Sequence, residues 1–188
     1  MVRMCCEDLS EDSYTDAAIQ DPRRFVGIPL AAGQSLADRF PVGTKLVLRS
    51  DGTPSDFFMA GPMLVISERL KAIFGEFGVA AEFFPVELTL PSGRASDSRW
   101  FFQNILAVVD CLDWEKSQFT SEKGFATNIQ RILLSKEMTG QQPLFRVART
   151  IPSLVCASDE LAAAVTAAGC TGLVFKKPEE WRNPMNPI

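Results

Sequence analysis

The sequence predicts an α+β fold, with a mixed or mainly antiparallel sheet and two short strand–helix–strand units related as a possible internal repeat. Three observations carry that expectation. Two apolar runs each lead into a serine, an acidic helix start and a glycine stop. Several other segments alternate or run apolar as strands do. The 188 residues, 46% hydrophobic and 22% charged, suit one soluble domain spanning residues 1–188.

In the first unit, Met63-Leu64-Val65-Ile66 is a short apolar run and Ser67 stands at the N-cap position. Glu68 falls in the first turn, where the helix macrodipole favours an acid. Leu70, Ile73, Phe74 and Phe77 follow on one helical face, and Gly78 supplies a left-handed stop. Beyond it, Phe84, Val86, Leu88 and Leu90 alternate as a strand does. The second unit repeats the construction. Leu154-Val155-Cys156-Ala157 leads to Ser158, and Asp159 and Glu160 open a helix. Leu161, Ala164, Val165 and Ala168 form its apolar face, Gly169 stops it, and Gly172-Leu173-Val174-Phe175 is the next strand. Without a gap, Ser67, Leu70, Ala72, Gly78 and Phe84 fall on Ser158, Leu161, Ala163, Gly169 and Phe175. A duplication explains those identities; so does the cap, stop and apolar spacing common to any two such units.

The remaining elements follow from local pattern. Arg24 to Pro29 reads as a short extended segment, and Lys45 to Arg49 as a strand closed by the turn signal Ser50-Asp51-Gly52. Arg99 to Val109 reads as one long buried strand. Ser121 to Ser135 is ambiguous: Ile129, Ile132 and Leu133 suit helical spacing, while Ile132-Leu133-Leu134 suits a short strand. Leu144 to Ala148 is a strand candidate after a turn around Thr139-Gly140. The Pro-rich tail, residues 178–188, reads as an extended strap from Trp181 onward.

The net charge of −4 is unevenly placed. Residues 1–21 carry Glu7, Asp8, Glu11, Asp12, Asp16 and Asp21 against Arg3 alone, and the rest of the chain is nearly balanced. This segment reads as a solvated arm or as an acidic surface that docks on a basic partner. On the second reading Glu7, Asp8, Glu11, Asp12 and Asp16 are its contacts. The acidic balance argues against a nucleic-acid partner. No window reaches the ~18 apolar residues of a membrane span, and the first residues lack a signal-peptide core. Cytoplasmic residence without a membrane partner is the expectation. Adjacent Phe57 and Phe58, in the loop Ser55 to Pro62, form a partner-binding hot spot if exposed and loop anchors if buried.

Chemistry is limited by what is missing. There is no histidine, which excludes Ser-His-Asp and Cys-His catalysis and zincin-type metal sites. Five cysteines (Cys5, Cys6, Cys111, Cys156, Cys170) form an odd set without CxxC spacing and read as free thiols in a reducing compartment. Asp110, Asp113 and Glu115 cluster at the end of the long strand. Carboxylates so placed hold a divalent ion or act as an acid/base pair, but this spacing matches no metal signature, and capping a turn or pairing with Lys116 is their commoner role. No catalytic residue, metal or cofactor is expected.

Four pieces of the chain together carry a likeness. They are Leu64-Val65-Ile66-Ser67-Glu68-Arg69-Leu70-Lys71 with Val79 and Glu82-Phe83-Phe84-Pro85-Val86; Val109-Asp110-Cys111-Leu112-Asp113-Trp114-Glu115-Lys116-Ser117; Leu144-Phe145-Arg146-Val147; and Ser158-Asp159-Glu160-Leu161 with Ala168 to Phe175. In that order and spacing they resemble the immunity-protein family numbered eleven of bacterial polymorphic toxin systems, over residues 40–177. The resemblance implies a non-enzymatic cytoplasmic protein, encoded beside a secreted toxin, that binds and neutralises it. It brings no catalytic residues, and its matched motifs are fold determinants. Two other function classes fit the residues: a small enzyme using Asp110, Asp113 and Glu115 with a divalent ion, and a regulatory or scaffold domain that self-associates through the repeated units.

Overall fold

In the computed structural model, which describes residues 1–10, 13–50, 52–135, 137, 139 and 141–181, the chain opens on strands β1 (Val2–Glu7) and β2 (Ala17–Ile19). After a long irregular segment come β3 (Lys45–Leu48), β4 (Phe57–Ala60), β5 (Met63–Ser67), helix α1 (Glu68–Glu76) and β6 (Ala81–Thr89). The middle of the chain forms β7 (Trp100–Ile105), β8 (Val108–Val109), β9 (Gln118–Glu122) and β10 (Phe125–Arg131). Then follow β11 (Leu144–Val147), β12 (Val155–Ser158), helix α2 (Asp159–Ala167) and β13 (Leu173–Lys176).

Strands take 38% of the structure and helices 14%, which corrects the α+β expectation: the protein is mainly β. The helices themselves start where local chemistry places them. Ser67 and Ser158 accept the backbone N–H of Leu70 (3.2 Å) and Leu161 (3.1 Å), and Gly78 and Gly169 leave the helices at φ 63° and 66°. What fails is the expectation that each helix and its flanking strands form a unit. β5 and β6 do not pair; β7 lies between them, antiparallel to both. β12 and β13 are likewise separated by β1. Each helix therefore links strands that need a third strand from elsewhere, and the sheets set the architecture.

One sheet has the order β2-β3-β6-β7-β5-β4, and its end strands β2 and β4 touch, so it curls nearly into a barrel. The second sheet runs β13-β1-β12-β11-β8, and β9 and β10 pair as a separate hairpin. Three cores alternate with these layers. The inner core fills the barrel with Leu46, Phe58, Val65, Leu88, Trp100 and Phe102. The middle core lies between the two large sheets and holds both helices through Leu70, Phe74, Leu161 and Val165. The outer core, with Met4, Phe145, Cys156, Ala126 and Ile129, lies under the hairpin. β5 and β7 serve two cores at once: Val65 and Phe102 face inward while Ile66 and Phe101 face the helices. That is why both are buried along their whole length and show no alternation.

Four further expectations change. The amino-terminal segment is not a free arm, because β1 lies inside the second sheet between β12 and β13. Arg24 to Pro29 is not extended: Pro22–Phe25 is a 3-10 turn, started by a proline whose fixed φ suits the first helical position. The stretch from Arg99 to Val109 is two strands, since β7 stays in the barrel sheet and β8 pairs with β11 in the other. Ser121 to Ser135 holds a hairpin with no helix, turned by Lys123 (φ 50°) and Gly124 (φ 83°). Asn128 (φ 46°) breaks the register of β10, so that Ala126, Ile129 and Ile132 all reach the core at a helix-like interval. Asp51, Gly140 and the strap residues 182–188 lie outside the described residues, although Trp181 just before the strap is buried in the outer core.

The layers meet at one crowded joint. The Asp56 carboxylate accepts the Ser67 hydroxyl (2.6 Å) and the Thr171 N–H (3.0 Å), tying the start of β4 to the α1 cap and to the loop before β13. Phe57 N–H donates to Thr171 O (3.1 Å), and Asp8 N–H donates to Gly172 O (2.9 Å). A Cβ on Gly172 would fall 1.9 Å from the Phe57 carbonyl oxygen, at φ 85°. Gly78, at φ 63°, has open space around it. Gly78→Ala should therefore cost about 1–2 kcal/mol from the left-handed conformation alone. Gly172→Ala adds a backbone collision and should cost roughly 3 kcal/mol or more. Urea denaturation of the two variants checks the order.

Candidate functional site

Most of the acids that the sequence offers as partner contacts already have partners within the chain. Glu7, at the end of β1, accepts the Met59 N–H at 2.8 Å, which satisfies a backbone donor of β4. Burial pushes its carboxyl up, against the opposing effect of that hydrogen bond. Asp8 accepts the Ser10 N–H, and this bond holds its carboxyl below the ordinary range. Asp16 lies 3.9 Å from Arg49. Glu11 and Asp12 lie outside the described residues. Phe57 and Phe58 are buried on opposite faces of β4, in the middle and inner cores respectively, so neither ring is presented at the surface.

The strand-end carboxylates are also engaged. Asp110 takes both of its oxygens to one Arg149 amino group (2.6 and 2.8 Å), and that guanidinium lies 4.6 Å over the Trp114 ring. Asp113 accepts the Glu115 and Lys116 N–H groups and the Lys116 ammonium at 3.1 Å. Among the described residues, no three His, Cys, Asp or Glu side chains come together as a metal site. The five cysteines are free thiols. Burial raises all five, Cys111 to about 11 and Cys5 and Cys156 further, so they are protonated and poor nucleophiles at neutral pH.

A groove of about 950 Å³ opens beside α2, lined by Val2, Phe77, Leu133, Leu134, Pro143 and Pro178 with Glu160 and Lys177 at its edge. Its lining carries no cysteine, and the Ser158 hydroxyl there bonds the Glu160 carboxylate and caps α2.

The irregular segment from Gln20 to Thr44 is the feature that sequence reading missed. Phe25, Leu30, Leu36 and Phe40 plug the mouth of the barrel, and Phe40 stacks against both Phe84 (4.5 Å) and Phe102 (5.0 Å), which are themselves 6.1 Å apart. Glu82 accepts the Ser35 hydroxyl and the Leu36 N–H, while Asn104 donates to Gln34 O and to Glu82. Partial burial would raise the Glu82 carboxyl, but these donors outweigh it and hold the group low. Two spaced aromatics and two leucines were the available signal. Reading Arg24 to Pro29 as a short extended segment concealed how long the irregular stretch is. Irregular stretches beyond about 12–15 residues are uncommon in compact domains and usually functional.

Two buried polar side chains keep donors unpaired inside the protein. Arg146, 3% exposed, donates to Ser153 Oγ at 3.1 Å, and its Nε and second amino group have no partner. Gln103 Nε2, on β7, is also unpaired. Strand alternation puts Arg146 on the Leu144 side of β11 and Gln103 on the Phe101 side of β7, so both face the middle core.

The model of the immunity protein family Imm11 matches residues 11–180 of the sequence. The chain belongs to the Imm11 immunity protein family. The match takes in both helices, every strand from β2 onward and the whole Gln20–Thr44 segment, while β1 precedes it. No match is found among proteins of curated function. No helix among the described residues of this Imm11 chain is long and apolar enough to cross a membrane.

Two stability effects follow from these side chains. Glu7 binds its proton more tightly folded than unfolded. As pH rises, the unfolded chain ionises first and stability falls through the folded group's range. Glu7→Gln should raise the thermal midpoint at neutral pH and leave it unchanged near about pH 3. Arg146 is held down to about 10 by burial and is still charged at neutral pH. Arg146→Met replaces a poorly paired buried cation with an apolar chain and should be neutral or stabilising by about 1–3 kcal/mol in urea denaturation.

Proposed function

We propose that this protein neutralises a cognate bacterial toxin domain by binding it and occluding its working surface, without catalysis. The family match over residues 11–180 carries the reading. The state of the ionisable groups supports it: the thiols are raised by burial, and Asp110 and Asp113 are paired with Arg149 and Lys116. In this reading the protein acts in the cytoplasm of the toxin-producing bacterium, within a polymorphic toxin system, and needs no cofactor, nucleic acid or membrane.

The test is co-expression with the toxin domain encoded beside it. Growth should be restored when both chains are made, and the two should elute as one complex in size-exclusion chromatography. Restored growth without a complex would replace occlusion by another mode of protection. Failure to restore growth would remove the toxin reading.

A further inference from the structure

We propose that the outer face of the Gln20–Thr44 segment is the toxin-docking surface, and that it receives an apolar toxin surface rimmed by carboxylates. This rests on the toxin-neutralising reading above. Val26 and Val42 are 82% and 92% exposed, so neither contributes to the three cores. The stretches that carry them lie side by side: Arg24 donates to the Val42 carbonyl at 2.8 Å, and the Phe25 and Phe40 rings are 5.7 Å apart. Arg39 is exposed beside Phe40. A depression of about 160 Å³, lined by Asp21, Arg24, Phe25, Gly43 and Lys45, adjoins the patch.

Charge decides the chemistry of the partner. Gln20 to Thr44 carries Arg23, Arg24 and Arg39 against Asp21 and Asp38, on a chain whose net charge is −4. Arg23 pairs with Asp21 at 3.2 Å. Among the described residues, Arg24 and Arg39 have no carboxylate partner and Asp38 no cationic one, which leaves the segment an excess of one positive charge. Guanidinium groups beside exposed apolar side chains suit carboxylates at the rim and an apolar centre, with planar two-point hydrogen bonding. The segment is held by the barrel core, Glu82 and Asn104, so little ordering opposes binding. Phe125 and Ile151 are exposed near the hairpin, but there Arg149 and Asp110 satisfy each other and exposed Lys123 stands next to exposed Glu122, so no one charge is in excess. The groove beside α2 is apolar with acid and base at its edge and selects no partner charge.

The experiment measures binding of the neighbouring-gene toxin domain to the full chain by calorimetry at low and high salt, with growth rescue alongside. Val26→Asp with Val42→Asp should weaken binding by about tenfold or more. Arg39→Glu should weaken it and flatten its salt dependence. Phe125→Ser should bind as the unaltered chain does. Thermal midpoints should stay close to the parent, since every replaced side chain is exposed; Val42→Ser serves if the double variant does not fold. Wild-type affinity in both the valine and Arg39 variants would overturn the surface while leaving the toxin reading intact. Loss of binding in Phe125→Ser alone would move the surface to the hairpin. No binding or rescue by the unaltered chain would overturn both.

Discussion

The approach of Gly172 to the Phe57 carbonyl is the constraint on which the layers depend. β4 and β5 must present Phe58 and Val65 to the barrel and Phe57 and Ile66 to the helices. That is possible only if the second sheet closes over the outer side of the hairpin at backbone distance. A side chain at position 172 would hold the sheets apart and open the middle core. Asp56 makes the same joint polar and directional, because its two oxygens serve the cap of α1 and the loop after α2. The helices are positioned through their ends, at one point, and their apolar faces then meet within the middle core.

The middle core is where packing and polarity conflict. α2 contributes Leu161 and Val165 beside Leu70 and Phe74 of α1, and the two helices share one layer. Lys71 lies 4.0 Å over the Phe101 ring and covers the edge of that layer with its stem and charge. Arg146 and Gln103 face the same space with donors unpaired, a cost that apolar residues would avoid. A one-residue slip of β11 would send Arg146 into the outer core beside Ile129 and Cys156 and turn Phe145 out of it. The present register is therefore the less costly of two unfavourable placements for that side chain.

Local chemistry was legible in the sequence, and partnership was not. Ser67, Ser158, Gly78 and Gly169 act on residues within a turn of themselves, so their pattern sufficed to place both helices. Val86 and Leu88 alternate with exposed Pro85 and Glu87 because β6 has one wet face. β5 and β7 show no face in sequence because both faces are covered by different cores. β1 offered least: its role as the strand between β12 and β13 comes from residues more than a hundred positions away. The hairpin misled for a different reason, since Asn128 in a left-handed conformation gave strand residues the spacing of a helix. For the candidate site, charge counting found the acids but not their partners, and Val26 and Val42 became notable only once exposure was known.

The same contrast changes what the net charge means. Counted along the chain, the negative charge sits at the amino terminus and suggests an acidic docking arm. Traced in space, Glu7 holds a backbone donor of β4, Asp8 closes a turn, and Asp16 lies near Arg49. A carboxylate that satisfies a buried or turn-forming N–H cannot be redirected to a partner without leaving that donor unpaired. The charges free to meet another protein are those without a charged partner in the chain, and on the anchored segment these include Arg39 and Arg24, the latter bonded only to the Val42 carbonyl. The absence of histidine sharpens this further, because it removes the side chain whose ordinary titration falls between pH 5 and 8. A docking face built from arginine and valine keeps its charge through that range, so any pH dependence of the complex there arises in the partner's groups or in those the contact itself buries.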